Sequence, residues 1–335
     1  MCRKETGSSC YLHVRFLIIS MKTLLHMEAF PMSDLIEKSM RKCTICPRNC
    51  GVDRLSGQIG YCGQTATLTG ARAALHYWEE PCISGTNGSG AVFFSGCNMK
   101  CVFCQNHSIA LGSTGMTLTL EHLAEIFLSL QDQGAHNINL VTPTHFVPQI
   151  ITALSMINEK RNIPIVYNTS GYEKVETLAM LEGYVDIFLP DLKYYSAELS
   201  KRYSNAADYF VYAEKAIAEM LRQTGRPVFD EKGLMKKGVI VRHMLLPGQS
   251  KDTKKVLRFL HETFGDDIWI SIMNQYTPMP GVTMDELHRR ITEEEYDKIL
   301  NFADMIGIRN GFMQEGETAS DSFIPPFDYE GLRTP

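Results

Sequence analysis

Cys97, Cys101 and Cys104, in the run FFSGCNMKCVFCQN, are the residues of this chain whose types and spacing say most about chemistry. Three thiolates spaced C-x3-C-x2-C can hold an iron–sulfur cubane and leave one of its irons without a protein ligand. A structural zinc site closes with four ligands, so the odd number favours a cluster with an open iron. Thiols that merely share a core would sit among apolar neighbours, whereas Asn98, Lys100, Gln105 and Asn106 lie between and after these.

A second group, Cys43, Cys46, Cys50 and Cys62, forms C-x2-C-x3-C-x11-C, with Pro47, Gly51, Gly57 and Gly60 supplying turns. Four thiolates either close a tetrahedral zinc site or fully ligate a second [4Fe-4S] cluster, and spacing does not separate the two. Cys82, in EEPCISG, is left over as a fifth ligand, a redox-active thiol or, by default, an inert one; Glu79 and Glu80 beside it either reach the barrel mouth or, by default, are surface carboxylates. Of the ten cysteines, eight fall between Cys43 and Cys104 at metal-ligand spacings, which points to a reducing, anaerobic cytoplasm and away from disulfides.

A scaffold must bring these groups to one place. From Ala91 onward, short apolar runs (AVFFSG, INLVT, IPIVYN, VDIFLP, GVIVRHMLLP, IWISIMN) alternate with helix-period segments, the pattern of βα units around a parallel sheet. Leu120, Leu123, Ala124, Phe127 and Leu130 make one helix that Thr119 caps; Val147, Ile150, Ile151, Leu154 and Ile157 make the next. Thr292 and Glu295 form a capping box before Tyr296, Ile299, Leu300 and Ala303. The expected fold is therefore α/β, a partial (β/α)6 TIM-like barrel with a small N-terminal Cys-rich module. An eight-unit barrel would need strands before Ala91, and the Gly- and Cys-rich texture there argues against them. The expected organisation is an N-terminal extension over 1–42, the Cys-rich module over 43–90, the barrel over 91–315 and a C-terminal tail over 316–335. Met21, Met27 and Met32 are alternative starts that would remove Cys2 and Cys10.

Polar residues stand at the carboxyl ends of the apolar runs: Thr142, Asn168 to Ser170, Asp191 with Lys193, Arg242 and Asn274 with Gln275. In parallel barrels the loops after the strands build the site, so these should meet at one mouth with the three-cysteine loop. A guanidinium in an apolar strand, as at Arg242, needs an anionic partner; His243 points to the opposite face. The SGTNGSG run over 84–90 lacks a Gly-Lys-Ser/Thr ending and is a turn, not a phosphate loop.

The run GCNMKCVFCQN, with Phe103 before its last cysteine, resembles the signature of the radical S-adenosylmethionine (SAM) superfamily. Within that superfamily it is most similar to the activating enzymes of glycyl-radical proteins, such as the pyruvate formate-lyase activating enzyme and its uncharacterised homologues. The resemblance extends from Cys43 to the C-terminus and implies an activase-like oxidoreductase with an open barrel. It implies that SAM chelates the open iron of a [4Fe-4S] cluster on Cys97, Cys101 and Cys104. One electron, from a flavodoxin or ferredoxin, then splits SAM to a 5′-deoxyadenosyl radical that abstracts hydrogen. It also implies that Phe103 and Asn106 border the cofactor, that Asn168 and Ser170 lie in a TxGY-type turn facing SAM, and that Asp191, Lys193 and Arg242 orient SAM or substrate. The family's Gly-Gly-Glu after the second strand is replaced by VTPTHF, where Thr142 and Thr144 offer acceptors and His145 is either a substrate-side or a helix-start residue.

A net charge of −5 with dispersed Lys and Arg argues against nucleic acid, and the apolar FLIIS patch near the N-terminus is too short for a membrane span. Three functions compete: activation of a glycyl-radical protein, radical modification of a small molecule or another target, and a non-catalytic iron–sulfur sensor.

Overall fold

The computed structural model describes residues 32–314 and 325–333. Most of the expected 1–42 extension, with Cys2, Cys10 and the FLIIS patch, lies outside the described residues. The strands are β1 (Thr69–His76), β2 (Ser89–Phe94), β3 (Met116–Thr117), β4 (Ile138–Val141), β5 (Ile165–Thr169), β6 (Ile187–Pro190), β7 (Val228–Phe229), β8 (Met235–Met244), β9 (Trp269–Met273) and β10 (Gly311–Met313). The helices are α1 (Met32–Met40), α2 (Pro81–Ser84), α3 (His107–Ala110), α4 (Leu120–Asp132), α5 (Val147–Met156), α6 (Val175–Ala179), α7 (Ala197–Ser204), α8 (Tyr209–Thr224), α9 (Ser250–Phe264) and α10 (Glu293–Met305).

One sheet runs in the order β10-β9-β8-β6-β5-β4-β2-β1-β3. The six apolar runs form β2, β4, β5, β6, β8 and β9, which pair in parallel throughout, and the short β10 adds a further parallel strand beside β9. The expected caps are present: Thr119 accepts from the His122 amide, and Thr292 and Glu295 make their reciprocal box. No helix among the described residues is long and apolar enough to cross a membrane.

The sheet also takes in a strand from the segment that texture had argued would supply none. β1 pairs antiparallel with β2 and leaves the barrel open. Its sequence, TGARAALH, lacks the large β-branched residues that mark a strand because another segment lies close against it. Ala73 donates to the Glu330 carbonyl at 2.8 Å, Tyr329 donates to the Ala71 carbonyl, and Leu332 is fully buried. A Cβ at Gly70 would stand only 3.2 Å from the Leu332 side chain. Within the segment 43–90, residues 69–90 supply β1, α2 and the start of β2, and the described residues 329–332 pack on β1.

Alternation fixes what enters the barrel. Val166, Ile187, Leu189 and Ile240 point inward against Cys82 and Ile83 of α2, which fills the barrel floor. One step toward the carboxyl ends, Asn168 follows Val166 and Arg242 follows Ile240 on the same face. On the other face of the sheet Tyr167, Phe188 and Val239 join the main core under the helices.

One carboxyl is buried within this framework. Glu173 Oε1 accepts the Thr144 hydroxyl at 2.6 Å and also the Thr169 hydroxyl. Burial pushes its pKa up to about 7, against the opposing pull of those donors. A carboxyl whose folded pKa lies above its unfolded one stabilises the fold below the unfolded value, and that stability is lost as pH rises through the folded value. Denaturant unfolding should therefore show on the order of 3 kcal/mol lost between about pH 4.5 and 7 from this group. Glu173→Gln should flatten that portion of the profile; an unchanged slope would show that the carboxyl is not its source.

Candidate active site

Because the strands are parallel, their carboxyl ends open on one side, and a cavity of about 230 Å³ lies there. Cys97, Cys101 and Cys104 line it from the loop after β2, together with Phe103 and Asn106. Thr142, Asn168, Ser170, Asp191, Lys193 and Arg242 line it from the following strands. The three-cysteine loop and all eight polar and aromatic residues expected around a cofactor thus face a single space.

The loop carrying the cysteines is tightly determined. Gly96 has φ +89°, and a Cβ there would stand 2.5 Å from the Cys62 carbonyl. Asn98 donates to the Tyr172 carbonyl at 2.8 Å, Met99 donates to Cys97 Sγ, and the Ser204 hydroxyl donates to Cys101 Sγ at 3.0 Å. Phe103 is buried edge-on against Tyr203 and Tyr276. Asn106 occupies the N-cap position of α3 without a side-chain capping bond, so its amide serves no helix and borders the cavity. Burial pushes the Cys101 and Cys104 thiols up, so a bound cationic group is what would hold them as thiolates.

Opposite the cysteines lies a buried network of charges. Arg242 donates through Nε to Asp191 (2.9 Å), through Nη1 to Glu79 (3.0 Å) and through Nη2 to Asn168 Oδ1 (2.6 Å). Lys193 Nζ lies 2.5 Å from the other Asp191 oxygen. Burial alone would raise the Asp191 carboxyl, but Arg242 and Lys193 outweigh it and hold the group below its ordinary range. Burial likewise works against a charged Lys193, and the Asp191 carboxylate overcomes it. The Asp191–Lys193 pair lies in the cavity wall, as a pair at the barrel mouth should, and Arg242 finds its anionic partners in the protein carboxylates of Asp191 and Glu79.

Glu79 reaches the barrel mouth and is not the surface carboxylate that the sequence favoured. It sits one-tenth exposed at the cavity floor, where its Oε1 accepts from Asn139 (3.0 Å) and Asn168 (3.1 Å). Glu80 is buried as well. Charge balance was the available signal: two cations, Lys193 and Arg242, on inward-facing positions with Asp191 alone leave one positive charge uncompensated. His76 and Trp78 of the same segment also line the cavity.

Gly171, in the turn after β5, has φ +77°, and a Cβ there would lie 2.2 Å from the Asp191 carbonyl, so glycine is required for that turn to meet the loop after β6. Thr142 adopts φ +57°, an outlying backbone for a β-branched residue, and its amide donates to the Asn168 carbonyl. Thr144 and His145 do not face the cavity. His145 is buried with Nε2 2.7 Å from the Ser95 carbonyl, and burial pushes its pKa down to about 3, so it is the helix-start residue of the two alternatives. His243 bridges the Leu192 carbonyl and the Thr253 hydroxyl on the other face. Cys82 is buried in the barrel floor and its thiol is pushed up to about 12 by that burial.

The four-cysteine group adjoins this site. Cys97 donates its amide to the Cys62 carbonyl at 3.2 Å, and the Arg48 guanidinium donates to the carbonyls of Asn98 and Ser204. Cys50 and Cys62 flank Gly60, at which a Cβ would lie 3.7 and 3.5 Å from their sulfurs.

The family model for the radical SAM superfamily matches residues 91–260, from β2 through most of α9. The chain belongs to the radical SAM superfamily. It is 28% identical over 282 residues to the uncharacterized protein MJ0674 of Methanocaldococcus jannaschii, covering 81% of this chain and 77% of that one. Among solved structures, SuiB of Streptococcus suis aligns at TM-score 0.45 and 14% identity over 69% of this chain; the alignment spans about half of SuiB, 49%. Methylornithine synthase, PylB, aligns at TM-score 0.45 and 15% identity, covering 70% of this chain and 75% of that one.

Membership in the radical SAM superfamily implies a [4Fe-4S] cluster and SAM. The donor set fits: three thiols on one loop face a polar cavity, and a cubane spreads its ligands over separate irons, so they need not close around one point. Among the described residues no three metal-ligating side chains close around a single ion.

Proposed function

We propose that this chain reductively cleaves SAM and uses the resulting radical to abstract hydrogen from a second molecule. The observation that carries the reading is the shared cavity, in which Cys97, Cys101 and Cys104 face Asn168, Asp191, Lys193 and Arg242. When bound, the cluster supplies the electron that breaks SAM's carbon–sulfur bond, drawn in turn from a flavodoxin or ferredoxin. The chain's own residues bind and orient. Cys97, Cys101 and Cys104 would hold the cluster and leave one of its irons without a protein ligand, open to the amino and carboxylate groups of SAM, and Asn106 lines the same cavity. Lys193 and Arg242 line the cavity and give it the positive charge that a SAM carboxylate or an anionic substrate group would meet, held in place by Asp191 and Glu79. Phe93, Met99 and Phe103 are the apolar side chains on this part of the lining and would limit water there.

The finer reading is activation of a glycyl-radical protein, supported by the likeness of GCNMKCVFCQN to the activases. On this reading Cys43, Cys46, Cys50 and Cys62 hold a second metal centre beside the first. Incubating the reduced, reconstituted protein with SAM and candidate glycyl-radical proteins should give a glycyl radical signal in the partner, matched by 5′-deoxyadenosine. SAM cleavage stimulated by a metabolite and indifferent to every such partner would replace the activase reading with small-molecule chemistry.

A further inference from the structure

We propose that Arg54 is the buried counter-charge of an anionic metal centre formed by Cys43, Cys46, Cys50 and Cys62; this rests on the reading of those cysteines as metal ligands. Arg54 lies between the third and fourth cysteines in sequence and is 1% exposed. Its Nε and Nη2 donate to the Thr65 carbonyl, and Nη1 donates to the His145 carbonyl at 2.7 Å and to Cys43 Sγ at 3.8 Å. Its guanidinium also stands 5.5 Å from the centre of the Phe146 ring. Among the described residues no carboxylate pairs with it. By contrast Arg242, a partly buried guanidinium at the cavity, has two.

An arginine cannot shed its charge, and burying it with only carbonyl dipoles for company is costly. Four neutral thiols would not relieve that cost. Four thiolates around a zinc ion or a cubane leave a net negative charge beside Cys43 Sγ, where Nη1 already points. The same guanidinium ties the centre to the barrel, since the ring of His145, whose carbonyl it holds, bonds to the Ser95 carbonyl two residues before Cys97. The VTPTHF segment thereby has a role that departs from cofactor contact: its His145 carbonyl and Phe146 ring receive Arg54.

The test uses the full chain with Cys97, Cys101 and Cys104 replaced by alanine, so that only the second site can bind. Metal-stripped protein is titrated anaerobically with zinc alone and, separately, with iron and sulfide, while circular dichroism follows folding. The background should bind one probe. Arg54→Met should bind it roughly 10–100-fold more weakly, the range for losing an outer-shell partner, and retain it only at higher pH because protons then compete better. Arg54→Lys should keep affinity near the background. A folded Arg54→Met with unchanged affinity and pH midpoint overturns the proposal and leaves the centre standing. A background that binds neither probe removes the metal-centre reading itself. If Arg54→Met does not fold, Arg54→Lys decides: near-background binding supports the counter-charge, and a folded protein that has lost the metal overturns it.

Discussion

Alanine in place of Cys97, Cys101 or Cys104, one at a time, should strip the iron of one cluster and reduce 5′-deoxyadenosine formation to that of a protein-free control. The three sulfurs come from one loop whose path is set by several contacts at once, so no neighbouring thiol can stand in. Cys82 is sealed in the barrel floor against Val166 and Ile240. Cys62 meets the loop through its backbone, its carbonyl accepting the Cys97 amide, and does not line the cavity. Metal at the proposed second site should survive the substitutions, so iron content should fall by one cluster only. A Cys97→Ala protein that still cleaves SAM would show that the open iron is not held by this triad.

The second large effect is expected at Arg242. Removing its guanidinium in Arg242→Met leaves Glu79 buried without a cation, while Asp191 keeps Lys193. Breaking a buried pair in this way costs about 3–5 kcal/mol, and the loss should appear in denaturant unfolding at neutral pH. SAM affinity should fall as well, because Asn168 loses the bond to its Oδ1 and can turn. Adding Glu79→Gln should restore a large part of the stability, since the orphaned charge goes with it. Strictly additive costs in the double variant would show that Glu79 and Arg242 are not coupled.

These expectations depend on features that were unequally legible in the sequence. The six parallel strands were clear, since strands buried on both faces read as continuous apolar runs such as INLV and IFLP. So were the residues at their carboxyl ends, because parallel pairing sends every such end to the same side. β1 was not legible: its alanines and its one glycine make room for the segment around Leu332, some 260 positions away in the numbering, and no local pattern records that. Glu79 was obscured for a related reason. Two glutamates before a proline look like a solvated turn until α2 is seen to fill the barrel, where Glu79 becomes a partner of Arg242 and Glu80 is buried. Arg54 was hidden among turn residues, and its significance appears only with its burial and its lack of a carboxylate among the described residues.

The most direct measurement of the central claim is anaerobic reduction of the reconstituted wild-type protein with SAM, followed by electron paramagnetic resonance and product quantification. The account expects the cluster signal to change on adding SAM, and methionine and 5′-deoxyadenosine to form in equal amounts. A reduced, iron-loaded protein whose signal ignores SAM and that forms no 5′-deoxyadenosine would contradict it and leave the iron–sulfur sensor as the better description.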